Sequence, residues 1–208
     1  MKIPKDSDEF IAQQKAILSE NPECANSHYN MGVSLMQEKK FDEAVNSFKE
    51  AIANSGRMFE AWVNLGYIYF ERGDLEKVVE ANQKAIEIEP RYARGYANLG
   101  FAYLQMAETD AAIKALNTAI ELNPDIAQAK ANLINGYLQK DDVKKAIEIG
   151  EDLVAMAPDF SLAHNNLAVA YYSYDEFDRA IIHLDKAIEL GFQAHPEFLK
   201  KLEPYRAK

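Results

Sequence analysis

Asparagines recur along the chain at a constant spacing of 34 residues, at Asn30, Asn64, Asn98, Asn132 and Asn166. Each carboxamide offers one acceptor oxygen and two donor hydrogens, so it can bond a peptide unit through both its N–H and its C=O. A row of such groups on one surface would hold an extended segment by its backbone, with little dependence on sequence. We call this row the asparagine ladder. An alternative is a structural role, in which the carboxamides satisfy hydrogen bonds between neighbouring helices.

Cysteine and histidine, which commonly act in catalysis or bind metals, are few in this sequence, and they form no recognisable catalytic or metal-binding pattern. Cys24 and His28 are four residues apart, which could place both on one helical face, but no second pair completes a metal site. His164, His183 and His195 have no carboxylate or cysteine partners at a notable spacing. The sequence contains no phosphate-binding glycine motif and no nucleophile elbow. We therefore expect no enzymatic activity, no cofactor and no metal.

Length and charge narrow the classes of partner. The 208 residues are 48% apolar, which is enough for a continuous core. The net charge of −10 would repel a phosphate backbone, so nucleic acid is not an expected partner. No apolar run approaches the roughly 18 residues that a membrane span requires, and the charged start "MKIPKDSDEF" lacks the apolar stretch of a secretory signal. With a single cysteine as well, we expect a cytoplasmic protein.

The 34-residue period extends to residues of other types. Fourteen residues after each asparagine comes a small or β-branched residue: Ala44, Val78, Ala112, Ala146 and Ala180. Four prolines share the frame: Pro22, Pro90, Pro124 and Pro158. Apolar residues within a segment step by three and four, which is helical spacing. Each 34-residue segment is therefore predicted to form two helices separated by a tight turn, with the proline ending or starting a helix.

The stretch "WVNLGYIYFERGDLEKVVEANQKAIEIEP" resembles a tetratricopeptide repeat. Five signature positions of that family are matched, namely Trp62, Leu65, Gly66, Tyr69 and Pro90. Five repeats fit the frame, at 25–58, 59–92, 93–126, 127–160 and 161–194. The resemblance implies an all-α, right-handed superhelical solenoid. We expect capping helices at both ends, in 1–24 and 195–208, because terminal repeats have no neighbour on their outer face.

In this family the first helix of each pair lines the concave side, so the resemblance implies a groove. Besides the asparagine ladder, its predicted lining includes Tyr29, Tyr67, Phe70, Arg94, Phe101, Asn135 and Tyr172. This surface favours an adaptor that binds an extended peptide of a partner protein, with the apolar flanks selecting among side chains. Some family members instead clamp the C-terminal carboxylate of a chaperone tail through a lysine before the asparagine. No lysine stands at that position here, so this mode is disfavoured.

A second function is compatible with the same pattern, namely a scaffold that assembles with itself into a homo-oligomer. The segment 8–20 places Phe10, Ile17 and Leu18 on one helical side. This helix could leave its own repeat and dock in the groove of a neighbouring copy. Such head-to-tail contacts can propagate into an open assembly.

Two positions depart from the repeat pattern. In the fourth segment Ile134 stands where three others have glycine, and Gly150 stands where others carry Phe48 or Leu116. If these positions face each other between the paired helices, the exchange conserves volume. The other departure is Asn82, at a position that is aromatic in the family signature. We expect Asn82 to be exposed to solvent, with a polar contact as the alternative.

Overall fold

The computed structural model describes residues 7–206, so residues 1–6 and 207–208 of the predicted capping segments lie outside it. The described part consists of helices and contains no strand, which confirms the all-α prediction. The helices are α1 (Ser7–Glu20), α2 (Ala25–Gln37), α3 (Phe41–Asn54), α4 (Phe59–Glu71), α5 (Leu75–Ile88), α6 (Ala93–Gln105), α7 (Thr109–Leu122), α8 (Ala127–Gln139), α9 (Val143–Met156), α10 (Ser161–Ser173), α11 (Phe177–Glu189) and α12 (Pro196–Arg206). None of them combines the length and the apolar character needed to cross a membrane.

The turn inside each 34-residue segment has one backbone geometry. A residue with φ between 59° and 73° recurs at Lys39, Gly73, Ala107, Asp141 and Asp175. The N–H of the next residue donates to the carbonyl five residues earlier, at 2.8–3.0 Å in every turn. This is the Schellman arrangement, which ends the first helix by satisfying one of its free carbonyls. It positions the second helix to start within three residues. The repeat boundaries given above stay a prediction.

The N-terminal unit, residues 1–98, has a core formed by α1 to α5. Leu35 of α2, Phe48 of α3 and Leu65 of α4 are nearly or fully buried there. Helix α1 contributes Ile11 to the same cluster and packs against α2. The first turns of α6 complete this unit.

The apolar clusters of the C-terminal unit, residues 99–208, include one at α8 and α9 and one at α10 to α12. The first joins α8 and α9 around Ile134 and Leu153. The second joins α10, α11 and α12 around Leu167, Leu184 and Leu202, which are all fully buried. Burying a leucine side chain stabilises the fold by about 1.5–3 kcal/mol, so the packing of Leu202 helps to hold α12 against the last helix pair.

Aromatic rings fix the position of α12 against the last helix pair. The Phe198 ring lies 5.6 Å from the Tyr172 ring in an edge-on arrangement. The Tyr205 ring stacks on Phe177 with 3.7 Å between centroids. Tyr172 and Phe177 also contact each other at 5.6 Å. Each such pair contributes about 0.5–1.5 kcal/mol beyond its buried area.

Glycines on the first helices allow large residues on the second helices to approach closely. A Cβ on Gly32 would lie 2.7 Å from a ring carbon of Phe48, and Gly100 faces Leu116 in the same way. In the fourth segment Ile134 is fully buried. The closest neighbour of Gly150 is Leu167 of α10, so the space beside Gly150 is filled. Direct facing of positions 134 and 150 stays a prediction.

Candidate functional site

Helix α4 presents the most exposed aromatic side chains of the predicted groove. Tyr67 is 50% exposed and Phe70 is 43% exposed. They are three residues apart, so they are neighbours on the helix surface. Asn64 precedes them by one further turn and is half-buried. The adjacent Glu71 carboxylate is the main cause that raises the pKa of the Tyr67 phenol.

Helix α2 contributes Tyr29 and Asn30, both half-buried, to the N-terminal unit. The Asn64 Nδ2 donates to the Tyr29 hydroxyl at 3.4 Å, which links α4 to α2. Two of the predicted groove residues are therefore in direct contact. This contact uses the Asn64 Nδ2 and does not involve its Oδ1.

Asn98 and Arg94 are exposed on α6. The Asn98 Nδ2 donates to the Oδ1 of Asn82 at 3.1 Å. The Asn82 Nδ2 in turn donates to the Val78 carbonyl at 2.8 Å. The expectation that Asn82 is exposed is wrong, because only 1% of it is accessible. Gly66 makes room for the buried carboxamide, since a Cβ there would lie 2.9 Å from its Nδ2.

In the C-terminal unit the asparagines of the ladder are buried. Asn132 accepts from the Nε2 of Gln128 at 3.2 Å. Asn166 donates to the Ala131 carbonyl at 3.0 Å and accepts from Asn165 at 3.3 Å. Asn166 therefore links α10 to α8, as the structural alternative expects. The other predicted residues of this unit are half-buried, namely Phe101, Asn135 and Tyr172.

The structure shows a polar cluster that the sequence analysis missed. The Nδ1 atoms of His164 and His183 lie 3.0 Å apart, and the Nε2 of His164 lies 2.9 Å from the Pro158 carbonyl. The two histidines are 19 residues apart. Trp62 and Ala81 are the equivalent positions three 34-residue periods earlier, and both line one cleft. The 34-residue frame could therefore have indicated that positions 164 and 183 meet between paired helices.

Cys24 and His28 each have a partner of their own. The Cys24 sulfur accepts from the Ser27 hydroxyl at 3.2 Å, which is the main cause that lowers the pKa of the thiol. The Nε2 of His28 lies 2.9 Å from the Pro22 carbonyl. Within residues 7–206, no three His, Cys, Asp or Glu side chains are arranged to hold a metal ion.

Four protein-family models match this chain. Models described as tetratricopeptide repeat match residues 25–55, 93–126 and 137–196, and one described as TPR repeat matches residues 66–106. No curated protein matches the sequence.

Among solved structures, the crystal structure of MamA is 29% identical, with a TM-score of 0.70 over 77% of this chain and 94% of that one. A second MamA structure is 26% identical, with a TM-score of 0.73 over 84% of this chain and 100% of that one. YrrB, described as a TPR protein with an unusual peptide-binding site, is 19% identical. Its TM-score is 0.72 over 86% of this chain and 92% of that one. The last similarity shows the fold alone.

Proposed function

Because the chain belongs to the tetratricopeptide-repeat family, we propose that it is a non-enzymatic adaptor that binds an extended segment of a partner protein. The observation that carries this proposal is the exposure of Tyr67 and Phe70 on one face of α4. Aromatic residues are enriched at protein interfaces and dominate binding energy when a partner covers them. The single cysteine supports the further prediction of a cytoplasmic location.

The binding surface that we propose is centred on α4. The Oδ1 of Asn64, which is not used in the contact with Tyr29 of α2, would accept a peptide N–H. The exposed rings of Tyr67 and Phe70 would cover apolar side chains of the peptide. Asn98 and Arg94 extend this surface on α6. The buried Asn166 has protein partners for both ends of its carboxamide, which supports a structural role at that end of the ladder.

The test uses a peptide selected from a random library by display against the full chain, and then labelled for fluorescence anisotropy. Phe70→Ala should raise the Kd at least about tenfold, because a central aromatic anchor is lost. Ile182→Ala is the matched control, since Ile182 is 64% exposed but lies on the second helix of its pair. An unchanged Kd in Phe70→Ala, or an equal loss in Ile182→Ala, would refute the α4 surface.

The ladder is tested with the same peptide. Asn64→Ala should cost about 1 kcal/mol of binding, or about fivefold in Kd. Tyr29→Phe removes the partner of Asn64 inside the protein but keeps the carboxamide, so it separates a ligand role from a structural one. If Tyr29→Phe weakens binding as much as Asn64→Ala does, Asn64 acts through the α2–α4 contact instead.

Self-assembly into a scaffold stays the alternative prediction. In the described structure, Ile11 and Gln14 of α1 are buried, so α1 would have to leave this position to dock in another copy. Light scattering behind a sizing column, over a wide range of concentration, distinguishes the two functions. A constant mass near 23.5 kDa supports the adaptor. A mass that rises with concentration, and that falls after deletion of residues 1–23, supports the scaffold.

A further inference from the structure

His164 and His183 connect the two helices of the last pair. His164 lies in the first turn of α10 and is 7% exposed, and His183 lies on α11 and is half-buried. Their Nδ1 atoms are 3.0 Å apart, and the ring planes differ by 24° with 5.3 Å between centroids, so the two rings meet edge to edge. The His183 ring also stacks on Tyr171, with 5.6 Å between centroids.

The hydrogen bonds of His164 determine which ring nitrogens of the two histidines carry a hydrogen. A carbonyl oxygen can only accept, so the Nε2 of His164, which lies 2.9 Å from the Pro158 carbonyl, carries a hydrogen. In neutral His164 the Nδ1 is then bare, and the Nδ1 of His183 must be the donor. A first extra proton on the Nε2 of His183 leaves this hydrogen bond intact. A second one, on the Nδ1 of His164, places two N–H groups and two positive charges against each other.

The charged and titratable groups that influence His183 lie on α9, α10 and α11. The Tyr171 hydroxyl donates to the Glu151 carboxylate on α9 and accepts from Arg179 on α11 at 3.0 Å. Burial is the main cause that lowers the pKa of His183, and His164 and Arg179 lower it further. Glu151 opposes them in part. Burial also raises the pKa of Tyr171 to about 12, so the phenol stays neutral near pH 7.

We propose that the His164–His183 contact is a proton-sensitive latch that holds α11 against α10 near neutral pH and releases it when both imidazoles are protonated. The opened state, with free histidines, takes up protons at about pH 6.5, above the lowered pKa of His183 in the folded state. The latch is therefore complete above about pH 6.5 and is lost as the pH falls from there through the lowered pKa. The opening equilibrium constant then rises about tenfold per pH unit for each additional proton bound on opening.

The helix pair α2 and α3 provides an internal comparison for the latch, because it has only one of the two histidines. His28 lies 136 residues before His164 and makes the same contact, with its Nε2 2.9 Å from the Pro22 carbonyl. The position that corresponds to His183 is occupied by Ser47, whose hydroxyl donates to the Glu43 carbonyl. The Nδ1 of His28 is buried without a hydrogen-bond partner in the described part of the chain. The first pair therefore has one half of the latch only.

The first test is the titration of the four histidines in the full chain by nitrogen-15 NMR. At pH 7.5, His164 should be the Nε2–H tautomer and His183 the Nδ1–H tautomer. On acidification, His183 should titrate below the ordinary value of about 6.5. A His183 that titrates at or above this value, or that is an Nε2–H tautomer at pH 7.5, overturns the latch.

The second test is amide hydrogen exchange of α11, corrected for the intrinsic pH dependence, between pH 7.5 and 5. In the wild type the opening constant should rise about tenfold per pH unit below pH 6.5 for each extra proton. His183→Asn and His183→Ser should both remove this additional rise, because their side chains do not titrate and can donate to a neutral His164 or accept from a protonated one. His28→Ser should leave it unchanged. If the rise persists in both His183 variants, the contact does not sense protons.

Discussion

The buried Asn82 shows that residue type alone does not predict exposure. Asn82 stands at an aromatic position of the repeat, and a polar residue there suggests exposure. It is nevertheless buried, because Gly66 provides space and because Asn98 of the following helix supplies a hydrogen-bond donor. The donor is 16 residues away, and nothing in the local sequence indicates it. The identity of a groove ligand is hidden for the same reason, since it depends on contacts beyond the chain.

Removing the side chain of Asn98 should show how much the buried Asn82 depends on this hydrogen-bond donor. Asn98→Ala leaves the buried Oδ1 of Asn82 without its partner, and we expect a loss of about 1–3 kcal/mol in the free energy of unfolding. In an Asn82→Leu background the same change should cost much less, because Leu116 shows that the position accepts leucine beside a glycine. Urea unfolding of the four proteins gives the coupling energy. Equal losses in both backgrounds would contradict the interaction.

At the scale of elements, the 34-residue period predicted the turns between paired helices better than the residue types in those turns did. Only Gly73 marks a turn by its identity, whereas Lys39, Ala107, Asp141 and Asp175 adopt the same left-handed conformation without glycine. The 34-residue spacing predicted a turn in each segment, and hence helix pairs of equal length. It could not predict the strain at the four non-glycine positions, because this strain appears only when the φ angles are known.

This strain should be measurable by exchange of glycine and alanine. Ala107→Gly should stabilise the protein by about 0.5–1 kcal/mol, because alanine is disfavoured at the φ of 59° found there. Gly73→Ala should destabilise it by about 1 kcal/mol, since the φ there is 73°.

Thermal unfolding monitored by circular dichroism tests both changes. As a control, Ala16→Gly in the exposed part of α1 should destabilise by about 1 kcal/mol. A destabilising Ala107→Gly would show that glycine flexibility in the unfolded chain outweighs the strain.

At the scale of the whole molecule, stability in a chain of repeats depends on neighbouring repeats. Leu202→Ala removes a fully buried side chain where α12 packs on the last helix pair, and should cost about 2–5 kcal/mol locally. Hydrogen exchange should show lost protection in α10 to α12, with α2 to α5 unchanged. The exposed Lys201→Ala is the control. A uniform loss across all helices would indicate a single cooperative unit instead.

The distribution of glycines bears on how a chain of similar helices avoids assembling incorrectly. Gly32 and Gly100 accept Phe48 and Leu116, whereas the fourth segment carries Ile134 and Gly150 in the opposite order. If α8 paired with α7 during folding as α6 does, Ile134 would meet Leu116 where a glycine belongs. Overpacking of this kind costs about 1–3 kcal/mol. The reversed order in the fourth segment would therefore disfavour the pairing of α8 with α7 in this register during folding.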